Sequence, residues 1–295
     1  MQMKARTLIT LSLLLVTFLG FSQSSYLDKE GQKHLWGEHE LADLEKAPFS
    51  TWFDANYSNY QPDLGEEFPL KGLRSTEVTI FLGTWCGDSK LWVPRFIKLW
   101  DELGLDRDQL KFIALHRETE HYKQGPKQEE AGLNIHRVPT FIFKKEGKEI
   151  ARMVESPINS LEADVAQIGL GFPSQPRYRG ASLLHDLFAT NEIDSLYKQS
   201  KTILRKIYRD VHTASEFNTY GYVLKAAKKY QEALFTFHLN TVLFRHDPNV
   251  YDSVGEMYLL LENYEQATHY YKEVLRIKPA DENALKMLAE IEAEK

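Results

Sequence analysis

Cys86 is the only cysteine in 295 residues, and it stands in the stretch Trp85-Cys86-Gly87-Asp88-Ser89, where one local pattern gives way to another. Upstream, residues 77–83 form a short apolar, β-branched run bounded by charge and glycine, which reads as a buried strand. Downstream, residues 89–100 carry apolar side chains at helical spacing, so the thiol sits where a helix begins. Unpaired N–H groups and the positive end of the helix dipole favour a thiolate there, which makes Cys86 a candidate nucleophile. The competing reading is a small buried hydrophobe, the usual fate of a free cysteine. Ser89 on the first turn can donate to the thiolate or simply start the helix. Asp88 opposes a thiolate by like charge, while the dipole and Lys90 favour it, and the balance between them stays open.

A second informative stretch follows about fifty residues on, in Ile135-His136-Arg137-Val138-Pro139-Thr140-Phe141-Ile142-Phe143. Together the two resemble the thioredoxin superfamily, in which a strand ends in Trp-Cys-Gly-Pro-Cys-Lys, a helix proline follows eight residues after the first cysteine, and a cis-proline in an Ile-Pro-Thr segment precedes a later strand. Trp85, Cys86, Gly87, Lys90 and Pro94 match the first pattern, and Val138-Pro139-Thr140 the second. The resemblance implies an α/β thioredoxin fold, a central mixed sheet flanked by helices. It also implies catalysis at Cys86 and a substrate groove formed by Trp85, Gly87, Val138 and a cis Pro139, while position and charge on the first helical turn give Ser89 as the catalytic partner and Asp88 and Lys90 as the tuning residues. Backbone ahead of such a proline can pair with an extended peptide.

The chain departs from that pattern where the chemistry is decided. Ser89 occupies the place of the resolving cysteine, Asp88 replaces the intervening proline, and Ile80 stands where the family carries a buried acid. With one thiol no intramolecular disulfide can form, which disfavours a dithiol reductase and leaves monothiol exchange or a redox-silent binding role.

Residues 1–22 read as a secretory signal. Lys4 and Arg6 supply the positive start, residues 8–21 an interrupted apolar stretch too short for a membrane span, and Gly20 and Ser22 a small-residue cleavage site. The expected location is a bacterial periplasm or cell envelope, with no integral membrane span in the mature form. Without Lys4 and Arg6 the 36 Lys and Arg become 34, against 42 Asp and Glu, a net charge of −8. That excess of acid argues against nucleic acid and anionic membranes as partners. His116, His121 and His136 lack short ligand spacing and Cys86 has no cysteine partner, so neither a metal nor another cofactor is expected. His136 reads as a surface residue near the cleft.

The elements that would position Cys86 lie in a first domain over residues 23–170. They are a helix started by Pro48 with Phe49, Trp52 and Phe53 on one face, strands over 77–83, 109–115, 140–143 and 148–154, the Cys86 helix, and a closing helix over 159–168. Residues 116–132 insert a polar run, expected as a solvated loop and short helix, with the alternative that it flanks the Cys86 cleft and tunes selectivity. A linker at 171–180, rich in glycine and proline at its start, leads to a helical domain over 181–295. There, Phe217 and Tyr251, Gly221 and Gly255, Tyr230 and Tyr264, Ala233 and Ala267, and Phe237 and Tyr271 recur at a constant offset of 34 residues. That period resembles the tetratricopeptide repeat and predicts repeats over 214–247 and 248–281 with a capping helix over 282–295. Helices over 181–189 and 194–210 are expected as a degenerate leading pair. Asn240 and Arg245 break the family's pattern in the first repeat.

The leading expectation is therefore monothiol thiol–disulfide exchange on envelope client proteins carrying a cysteine or an extended segment, with an external thiol reductant. The alternative is a non-catalytic protein-binding or chaperone-like adaptor that uses the cis-proline groove and the repeat surface.

Overall fold

The computed structural model describes residues 24–294; the expected signal at 1–22 lies outside the described residues. Strands β1 (Ser24–Leu27), β2 (Lys33–His39), β3 (Glu77–Leu82), β4 (Leu110–Ala114), β5 (Thr140–Lys145) and β6 (Lys148–Val154) form one mixed sheet in the order β1-β2-β4-β3-β5-β6. Strand β3 pairs with β4 in parallel and with β5 antiparallel, so Ile80 faces Phe112 on one side and Phe141 on the other. A strand with neighbours on both edges and packed faces reads as an unbroken apolar run rather than an alternation, which is why residues 77–83 were legible. Helices α1 (Leu41–Leu44), α2 (Ser50–Ser58), α3 (Leu70–Leu73), α4 (Gly87–Glu102) and α5 (Leu161–Leu170) flank the sheet. Phe96 of α4 packs on Phe141 with ring centroids 4.7 Å apart and on Trp100 at 5.3 Å, anchoring α4 to the central strands.

Two parts of this half differ from the sequence reading. The hairpin β1–β2 was not expected, because β1 is a four-residue edge strand and the alternation in β2 is broken by Gly37 and by the buried His34 and His39. The insertion at 116–132 carries the expected short helix, a 3-10 turn at Thr119–His121, but is only partly solvated. It folds back on the sheet edge, with Lys123 N–H donating to His116 O (2.9 Å), His116 N–H to Gln124 O (3.1 Å) and Trp36 Nε1 to Gln124 O (2.9 Å). His116 stacks on Tyr26 at 3.7 Å, and Lys123 is only 4% exposed.

The remainder is helical: α6 (Arg179–Thr190), α7 (Ile193–Ile207), α8 (Ala214–Ala226), α9 (Tyr230–Leu243), α10 (Pro248–Leu260), α11 (Tyr264–Ile277) and α12 (Glu282–Ala293), with no strand among the described residues. Helices α8 and α9 pack as one pair and α10 and α11 as the next, with equivalent starts 34 residues apart. The small-to-aromatic pattern has a steric cause: a Cβ on Gly221 would lie 2.4 Å from the ring of Phe237, and one on Gly255 would lie 3.1 Å from the ring of Tyr271. Asn240, a departure from the repeat pattern, is buried and donates to Ala214 O (2.9 Å) and Asn218 Oδ1 (3.0 Å), fastening α9 to α8. Among the described residues no helix is long and apolar enough to cross a membrane.

Candidate functional site

The end of β3 and the start of α4 set the position of Cys86. Cys86 is the N-cap residue of α4, in an extended conformation (φ −89°, ψ 128°), and its carbonyl accepts the Lys90 N–H at 3.0 Å. The preceding Trp85 is held by its Nε1, which donates to Leu115 O at 2.9 Å. A Cβ on Gly83 would sit 2.6 Å from the Trp85 indole, so only glycine permits this ring to fold over the strand end. Half-buried Cys86 donates its S–H to Val138 O at 3.2 Å, and the Val138–Pro139 peptide bond is cis. The structure thus brings Trp85, Cys86, Val138 and Pro139 together, with Gly87 exposed at the rim.

Ser89 is placed differently from its expected role. Ser89 is fully buried, and its hydroxyl oxygen accepts the Gly83 N–H at 3.1 Å, so it fastens α4 to the strand end. Lys90 follows it on the first turn of α4 and is half-buried. Asp88 is exposed at the rim, and its carboxyl is held above the usual range by partial desolvation and by Glu155, against the pull of Arg137.

Sequence reasoning weighed the insertion and His136 as neighbours of the cleft but singled out neither Tyr122 nor Lys123 and missed the burial of His136. Lys123, from the insertion, donates from Nζ to His136 O at 2.7 Å and lies over the Tyr122 ring at 4.8 Å. Burial pushes its ammonium down to about 7, with Arg137 adding to the effect and Cys86 and Glu155 opposing it. Burial raises the Tyr122 phenol, and Cys86 adds to that rise while Arg137 offsets it. His136, expected at the surface, is 1% exposed and packed against Tyr178 and Tyr220. Burial, with Lys123 and Arg137 nearby, pushes its imidazole down to about 3. No local sequence signal marks these residues, because their burial depends on the fold of the insertion and on the helices packed over it.

Arg137, just before Val138, joins the two halves of the chain. Its guanidinium pairs with Glu155 Oε1 (3.1 Å), donates to Ser215 O at the start of α8 (2.8 Å) and lies over the Tyr178 ring at 4.6 Å. Tyr178 in turn donates to Glu155. Beside this link runs a groove of about 620 Å³. Arg117 and Tyr122 of the insertion form one wall, and Asn218, Tyr222, Lys225 and Asn249 of α8 and α10 form the other. Within the helical wall Tyr222 donates to Glu256 Oε2 at 2.7 Å, and Lys225 pairs with Glu256, tying α8 to α10. Tyr122 therefore borders both the groove and the surroundings of Cys86.

No family model matches this chain, and no curated protein matches it. Among solved structures it is similar to PcrH from Pseudomonas aeruginosa (18% identity, TM-score 0.25), over 38% of this chain and 88% of that one. It is also similar to PcrH in complex with the chaperone binding region of PopB (18% identity, TM-score 0.25), over 38% of this chain and 94% of that one. A T3SS complex from Aeromonas hydrophila is similar at 15% identity and TM-score 0.25, over 39% of this chain and 75% of that one. The expected monothiol exchange is corrected at the residues themselves: Ser89, expected to assist the thiol, is buried and its hydroxyl oxygen accepts the Gly83 N–H. The Cys86 thiol in turn lies against Val138 O, at the segment that enters β5.

Proposed function

We propose that this chain is a non-catalytic protein-binding adaptor, in which a thioredoxin-like domain over residues 23–170 and tetratricopeptide-like repeats over 181–295, joined at 171–180, together hold an extended segment of a client protein. The parallel and antiparallel pairing around β3, the helix starting at Cys86 and the cis Val138–Pro139 bond support the thioredoxin-like assignment. The 34-residue spacing of the α8–α9 and α10–α11 pairs supports the repeat assignment. Residues 1–22 support export to a bacterial envelope.

The observation that carries the proposal is the groove itself: its walls come from both parts of the chain, and its lining is polar and mixed in charge. Such a surface suits a segment bound through backbone hydrogen bonds and a few side-chain contacts. The test is capture from envelope extract by the full chain, identification of the bound protein, and repetition with the double variant Arg117→Glu and Lys225→Glu, which changes one residue on each wall. The adaptor reading expects a client released by salt without reductant and lost with the groove variant. A client that the groove variant keeps, or that only a reductant releases, would overturn it.

A further inference from the structure

A second cavity, of about 200 Å³, lies between the insertion and the repeat helices and shares no lining residue with the groove. Lys123, Asn134 and Ile135 line it from the first part of the chain, and His185, Tyr220 and Leu224 from α6 and α8. Three polar groups there are incompletely matched. Tyr220 is 2% exposed, and its hydroxyl has no hydrogen-bond partner. Asn134 spends its amide N–H on Ser182 Oγ (3.3 Å), but its Oδ1 has no partner. Lys123 has a single hydrogen-bond acceptor, His136 O, and no carboxylate within ion-pair distance among the described residues.

We propose that this cavity binds a small carboxylate that also carries a hydroxyl, with Lys123 as the counter-charge, the Tyr220 hydroxyl as a donor and Asn134 Oδ1 as the acceptor for the ligand hydroxyl. An enclosed ammonium with one carbonyl acceptor and the face of the Tyr122 ring, and no carboxylate within ion-pair distance among the described residues, lacks much of what it loses on leaving water, and an anion supplies it. A buried phenol and a buried amide oxygen without protein partners are exceptions that call for a polar partner, which a bound ligand can supply. Charge sets the class. Lys123 and Lys229 are the cationic groups in the lining, burial holds His185 toward its neutral form, and Glu130 is held above its usual range by desolvation while its carboxylate accepts the Gly125 N–H at 2.8 Å. The volume suits a ligand of a few heavy atoms, well below the size of drug-like sites.

The charge state of Lys123 gives the proposal a second readout. Its ammonium titrates near 7, lowered by burial and Arg137 and supported by Cys86 and Glu155, so it is charged below that pH and neutral above it. A carboxylate that needs this charge binds more tightly at pH 6 than at pH 8.5.

The probe is lactate, with propionate lacking the hydroxyl and lactamide lacking the charge, measured by titration calorimetry on the full chain. Lactate is expected to bind with a Kd of about 1 mM or tighter. Propionate, lactamide and the variant Tyr220→Phe are each expected to bind roughly fivefold to tenfold more weakly. Lys123→Met is expected to abolish both the binding and its pH dependence, with the fold checked by circular dichroism. If lactate shows no saturable binding in the tens of millimolar, the cavity holds only water and the proposal is overturned. Lactamide binding as well as lactate, or a folded Lys123→Met protein that binds lactate with an unchanged pH profile, overturns it equally.

Discussion

Cys86 and Val138, 52 residues apart in the chain, meet through a hydrogen bond of 3.2 Å from the thiol to the carbonyl oxygen. The bond ties the start of α4 to the segment that enters β5, the same two places that the sequence marks by Trp-Cys-Gly and Val-Pro-Thr. In this arrangement the cysteine fastens the helix start to the cis-proline segment. Next to it Arg137 reaches across to Ser215, so the surface around Cys86 and the repeat helices are held in one geometry.

Ser89 is the residue whose role changed most between sequence and structure, and its replacement separates the two readings. Removing the hydroxyl by Ser89→Ala leaves the Gly83 N–H buried without its acceptor, which costs about 1–3 kcal/mol of folding stability. Urea unfolding should show that loss, with the rate of Cys86 alkylation little changed in the folded protein. A fall in thiol reactivity without loss of stability would return Ser89 to the thiol.

The two repeat glycines are equivalent by position but not by space. Alanine at Gly221 would place its Cβ 2.4 Å from Phe237, whereas alanine at Gly255 meets Tyr271 at 3.1 Å, a gap that small ring movements can open. Gly221→Ala should therefore destabilise by about 2–3 kcal/mol, and Gly255→Ala by about 1 kcal/mol or less. Thermal unfolding of both variants gives the comparison, and equal losses would contradict the packing described.

Acid should weaken the fold through His136. Its folded-state imidazole titrates at about 3, below its ordinary value of 6.5, so the unfolded chain takes up a proton that the folded chain refuses. The stability this neutral histidine contributes is complete above about 6.5 and is lost progressively as the pH falls toward 3, with a slope of at most about 1.4 kcal/mol per pH unit. His238, pushed to about 4 by burial alone, adds to the loss with the same sign. Chemical unfolding from pH 7 to pH 4.5 measures this slope, and His136→Gln should reduce it; an unchanged slope in that variant would assign the acid loss to other groups.

What could be read in the sequence was what short-range pattern encodes. The runs that became β3, β5 and β6, the helix starting at Cys86 and the 34-residue repeat all depend on neighbours three, four or two residues away, or on a fixed period. The hairpin β1–β2 was hidden because its polar buried residues take partners far along the chain, such as His34 with Thr84 at 3.2 Å. Lys123, His136 and Tyr220 were hidden for the same reason. A lysine in a polar run signals solvent, and only the packing of α8 over the insertion removes it from water. The walls of the groove come from segments more than ninety residues apart, so no window of sequence contains it.

The most direct test of the adaptor account is the affinity of the full chain for a peptide from a captured client, measured by calorimetry in the presence of a reductant, for the natural protein and for Cys86→Ser. We expect the two dissociation constants to agree within about twofold, a difference under 0.5 kcal/mol, because the groove rather than the sulfur holds the segment. Loss of binding on reduction or in Cys86→Ser would contradict the account and make the thiol the attachment point.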